Sequence, residues 1–88
     1  MALRVQLTKS FVKAAKKLPI PQQEKLGVLL QNLQENPFSP LLHAKPLTGA
    51  LAGFYSFRIT RDWRVLFQFV DEETVKIIDV AHRKDIYR

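Results

Sequence analysis

Residues 54 to 81 alternate apolar and polar side chains through three consecutive runs separated only by short polar breaks, a pattern that demands an antiparallel meander. The runs are Phe54 to Thr60, Trp63 to Val70 and Val75 to Ala81. Tyr55, Phe57 and Ile59 share one face of the first, and Trp63, Val65, Phe67 and Phe69 share one face of the second. A loop at Thr60, Arg61 and Asp62, with Asp in a left-handed position, pairs Ile59 with Trp63 and Arg58 with Arg64, and both faces then agree. Shortening the loop by one residue would put Arg58 opposite Val65 and scatter the pattern. An acidic turn at Asp71, Glu72 and Glu73 pairs Val70 with Val75, which sets Arg64 opposite Ala81 and Leu66 opposite Asp79. Ile78 and Val80 then join the aromatic face, and Arg83 continues on the other.

Upstream, Met1 to Leu7 alternates Leu3, Val5 and Leu7 with polar or small residues, the period of a half-buried strand. Thr8 or Ser10 can cap a helix whose apolar stripe is Phe11, Ala14, Ala15 and Leu18, with Lys9, Lys13, Lys16 and Lys17 on a solvated face. Pro19 and Pro21 break that helix, and Pro21 suits the first turn of the next. Leu26, Leu29, Leu30 and Leu33 carry the second helix to a stop at Asn36-Pro37. Gly27 inside it costs about 1 kcal/mol against Ala, which suggests close packing or a local compromise. Residues 37 to 53 are rich in Pro and Gly and read as an irregular connector. The expected fold is therefore α+β: an N-terminal strand, a two-helix hairpin and a three-stranded antiparallel meander, with the helices on one face of a twisted sheet. Residues 1–88 are expected to form a single domain.

Lys and Arg number 14 against 8 Asp and Glu, a net charge of +6, so nucleic acid and acidic proteins are the natural partners. The chain has no cysteine, which excludes disulfides and thiolate metal sites. His43 and His82 stand in no recognised ligand spacing with the carboxylates, and no cofactor is implied. No apolar run reaches the roughly 18 residues of a membrane span, and no signal peptide is visible, so a cytoplasmic location without a membrane partner is expected.

Arg58, Arg64 and Arg83 fall on the face opposite the aromatics. Like charges across a strand pair repel, and guanidinium forks match phosphate oxygens. The alternation alone equally allows ordinary outward-facing residues, partly neutralised by Asp79 and Asp85. Phe38, Tyr55 and Trp63 are assigned to packing, His82 to the core side and His43 to a solvated loop.

The order of elements, together with KPLTG at 45 to 49, Phe57-Arg58, DWRVLF at 62 to 67 and VAHRKDIYR at 80 to 88, resembles the RelE/ParE superfamily of type II toxin–antitoxin toxins over essentially the whole chain. The resemblance implies, for the RelE branch, metal-independent cleavage of mRNA in the ribosomal A site by attack of a 2′-hydroxyl on the adjacent phosphate. On that pattern Arg58 and Arg64 contact the scissile phosphate, Arg83 stabilises the transition state or leaving group, and Tyr87 stacks on a base or aids proton transfer. Lys45 takes a place held by His or a basic residue in some relatives, and Asp62 that of a functional Asp or a turn former. Ser56 replaces a lysine that the RelE pattern carries, so no base is assigned there. The implied partners are a cognate antitoxin, mRNA and ribosomal RNA, with operator DNA reached only through the antitoxin. A ParE-like DNA gyrase inhibitor and a catalytically degenerate regulatory homologue are the alternatives.

Overall fold

The computed structural model describes residues 2–86, and Met1, Tyr87 and Arg88 lie outside them. Its elements are β1 (Arg4–Leu7), α1 (Lys9–Ala15), α2 (Ile20–Glu35), β2 (Lys45–Pro46), a short 3-10 turn (Gly49–Leu51), β3 (Tyr55–Arg58), β4 (Trp63–Asp71), β5 (Thr74–His82) and α3 (Arg83–Ile86). The strands form one sheet in the order β1-β5-β4-β3-β2. All neighbours are antiparallel except β1 and β5, which run parallel because the helices carry the chain back across the sheet.

Thr8 joins the first strand to the first helix. Its hydroxyl accepts the Phe11 N–H at 3.1 Å as the N-cap of α1, and donates toward the Ile77 and Ile78 carbonyls, each at 2.9 Å. The break between α1 and α2 is clasped by the Gln23 side-chain amide, which donates to the Lys16 and Leu18 carbonyls. Pro21 lies in the first turn of α2, where its missing N–H breaks no helical bond. Phe11, Leu18, Leu26, Leu29 and Leu33 from the helical half meet Phe57, Ile59, Val65, Phe67, Val75, Ile77 and Val80 from the sheet in one buried cluster. This is the two-layer arrangement that amphipathic helices and a half-apolar sheet require.

Several expectations are corrected. The first strand begins only at Arg4, and Leu7 is exposed rather than buried. A Cβ on Gly27 would meet nothing within 4 Å, so close packing does not explain it. Gly27→Ala should therefore stabilise the fold by about 1 kcal/mol, read as a higher urea midpoint at unchanged slope. The connector is not wholly irregular: Lys45–Pro46 forms the edge strand β2, and Leu42 is fully buried. Asp62 does not adopt a left-handed conformation; among the described residues the non-glycine that does is His43.

The β4–β5 register holds at the Arg64 end, with Arg64 opposite Ala81 and Leu66 opposite Asp79. It then slips by one residue, so that Phe67 faces Ile77, and slips back before Asp71 pairs with Thr74. These irregularities leave Ile78 and Val70 out of the pairing, and Ile77 takes the core position that strict alternation gives to Ile78. In the turn, Asp71 accepts the Glu73 N–H at 2.8 Å. That bond, then one from the Thr74 side chain, holds the Asp71 carboxyl below its ordinary value of 3.8.

The chain end departs most from expectation. After β5 it turns into α3, which packs on β4 and β5. Leu66 and Ile86 are both buried, yet neither belongs to the main cluster. Leu66 lies on the strand parity opposite the aromatics.

Candidate functional site

Arg58 and Arg64 are direct partners across the β3–β4 pair. The Ile59 N–H bonds the Trp63 carbonyl at 2.9 Å, so the arginine pair one step further in is a non-hydrogen-bonded one. Cα atoms in such pairs stand about 4.5 Å apart, with side chains closer than at the alternate positions. Both arginines are half-buried. The Arg64 guanidinium donates to the Arg61 carbonyl at 3.5 Å, while its Nε is buried without a partner. Among the described residues, neither side chain has a carboxylate within ion-pair distance. Opposed like charges of this kind cost stability, which a purely structural face would not need.

Arg83 reaches the same end of the sheet by another route. As the first residue of α3 it donates its N–H to the Asp62 carbonyl at 2.7 Å, and its Nε lies 3.6 Å from the Asp62 carboxylate. The β3–β4 loop is thereby tied to the start of α3, at the same end of the sheet as the Arg58–Arg64 pair. Arg83 is exposed and carries a carboxylate neighbour, whereas the other two arginines do not. Asp62 thus has a definite structural task as the anchor of that junction.

Lys45 is paired with Ser56, and Ser56 with Leu66, so Lys45 shares the arginine face one row away. It is exposed on the edge strand, while Ser56 is fully buried. Tyr87 falls outside the described residues, directly after Ile86. His82 lies opposite Trp63, with ring centroids 5.6 Å apart edge to face, and its Nδ1 accepts the Lys84 N–H at 3.2 Å. It is oriented by these contacts as a structural histidine. Phe38 is 61% exposed but contacts Tyr55 and Phe69, with centroids 6.2 and 6.0 Å away. Nothing in the alternation pattern announces α3.

A sheet backed by helices on one face, with paired arginines on the other parity of β3 and β4, defines a class of small α+β folds. Solved structures of that class superpose along nearly the whole chain. The RelBE2 toxin–antitoxin complex from Mycobacterium tuberculosis matches at 29% identity over 94% of this chain and 100% of that one, with a TM-score of 0.78. The YoeB/ParE toxin from Agrobacterium tumefaciens matches at 24% identity over 92% and 99%, with a TM-score of 0.80. The archaeal RelE–RelB complex from Pyrococcus horikoshii matches at 24% over 97% and 99%, with a TM-score of 0.79. The last two share the fold. Comparison with curated proteins gives no match. Residues 5–87 match the sequence model of the ParE toxin of the type II toxin–antitoxin system parDE, and the chain belongs to that family.

Proposed function

We propose that this toxin is an endoribonuclease that cleaves mRNA in the ribosomal A site. The observation that carries the proposal is the Arg58–Arg64 pair, two arginines directly opposite each other on adjacent strands with no carboxylate within ion-pair distance among the described residues. A ribose 2′-hydroxyl attacks the adjacent phosphorus, the 5′-oxygen leaves, and a 2′,3′-cyclic phosphate remains. The transition state gathers negative charge on the phosphoryl oxygens, and preorganised cations stabilise it more than they stabilise the bound diester. Arg58 and Arg64 hold those oxygens in this scheme, and the charge need not come from a metal. Arg83 supports the leaving oxygen, Lys45 is the amine on the same face, and Tyr87 stacks on a base or assists proton transfer.

The exposed Lys9, Lys13, Lys16 and Lys17 add a cationic flank suited to ribosomal RNA. A cognate antitoxin, acidic or amphipathic, is the proposed restraint, consistent with the solved toxin–antitoxin complexes of the same fold. Operator DNA is reached through that antitoxin. Within the described residues no helix is long and apolar enough to cross a membrane, and action in the cytoplasm follows from the ribosomal target.

The match to the ParE family favours a second activity, inhibition of DNA gyrase. Induced expression separates the two. The nuclease gives codon-positioned cuts in translated messages within minutes and leaves purified gyrase supercoiling unchanged. Intact messages together with blocked supercoiling would replace the first activity by the second.

A further inference from the structure

Beside Arg58 the sheet edge forms a second basic recess. β2 covers β3 only at Tyr55 and Ser56, so the Arg58 end of β3 has no strand on its outer side. The turn at residues 41–43 takes that place, its Leu42 carbonyl accepting the Arg58 N–H at 3.2 Å. The next residue, His43, is held at φ 50, a left-handed conformation that is strained for a residue with a Cβ. Glycine would occupy it more cheaply. The imidazole kept there lines a cavity of about 370 Å³ together with Lys25 of α2, Arg58, Thr60 and Arg61. That volume is within the range of small-ligand sites, and no carboxylate lines it. Three segments distant in sequence thus bring four basic side chains to one hollow, and one of them, Arg58, also stands across from Arg64.

We infer that this recess is a phosphate subsite that seats the RNA backbone phosphate neighbouring the scissile one; the inference rests on the endoribonuclease proposal. Every internal RNA linkage has such a neighbour, and Arg58 is common to both positions. A phosphate gripped here carries no sequence information but fixes the register of the strand, so that the correct linkage meets Arg64. Lys25, His43 and Arg61 are accordingly positioning residues.

The test uses fluorescent 2′-O-methyl oligoribonucleotides, which lack the attacking hydroxyl, carrying either one or two internucleotide phosphates. Their binding to the full chain is followed by anisotropy against salt, with the triple variant Lys25→Gln, His43→Gly, Arg61→Gln and with Arg64→Ala. His43→Gly relieves the strained backbone, and the other two replacements are at exposed sites, so a thermal melt should show a folded protein. For the unmodified chain, the slope of log K against log salt should steepen by about 0.7 when the second phosphate is added. The triple variant should lose that increment and keep its slope for the single phosphate. An increment that survives in the triple variant overturns the subsite, as does weakened binding of an acidic peptide with RNA slopes unchanged, which would assign the recess to a protein partner. If the increment depends on the recess but Arg64→Ala leaves single-phosphate binding intact, the recess still binds RNA phosphate, but the nuclease proposal fails and with it the assignment of that phosphate as the neighbour of a scissile one.

Discussion

Replacing Arg64 with Ala should reduce cleavage of translated messages by about 10²–10³-fold, the usual cost of losing one preorganised donor to a transition-state oxyanion. The same change should leave the melting temperature unchanged or raise it. Arg64 holds a buried Nε without a partner and faces Arg58 at the closest kind of strand pairing, two features that disfavour the folded state. Primer extension on messages after induction measures the first effect, and a thermal melt of the purified variant the second. A drop of less than tenfold, or a marked loss of stability, would mean that Arg64 serves packing and not the phosphate. Lost activity with retained stability distinguishes a functional guanidinium from a structural one.

The opposite profile is expected at Phe67. Its ring is fully buried and sits 5.6 Å from Tyr55, 5.9 Å from Phe57 and 5.8 Å from Phe69, at the centre of the aromatic layer under the helices. Phe67→Ala should cost about 3–5 kcal/mol, from lost transfer energy and the cavity left behind. In a domain of this size that corresponds to a fall in Tm of roughly 12–40 °C, enough to leave much of the chain unfolded at growth temperature. Val70→Ala is the control, since Val70 lies 53% exposed beside a bulge and should change stability by no more than about 0.5 kcal/mol. Similar melts for the two variants would refute the assignment of the core to this layer.

The parity of adjacent runs carries the register of the first hairpin, because two faces of opposite polarity tolerate no slip of one residue. Arg58 and Arg64 are therefore legible as partners before any coordinates. The second hairpin is less so. A bulge preserves the polarity of both faces overall while exchanging Ile78 for Ile77, and no local residue type marks the place. β2 is a pairing of two residues and contains a proline, too short for any periodic signal. The turn at His43 and the junction of Asp62 with Arg83 depend on contacts between distant segments, which composition does not encode. Of the site, the strand arginines are visible in the pattern; Lys25 and Arg61 become neighbours of Arg58 only once α2 and the loop are folded beside it.

The parallel pairing of β1 with β5 also governs when the protein can exist. Arg4 lies against Thr74, and the Thr8 hydroxyl reaches carbonyls 69 and 70 residues further along. Such distant closure has to await the last strand, so a nascent chain lacking it has neither a completed sheet nor a platform for its arginines. A premature stop before residue 74 should thus yield a fragment that cannot complete the sheet, read as an unfolded product in a thermal melt.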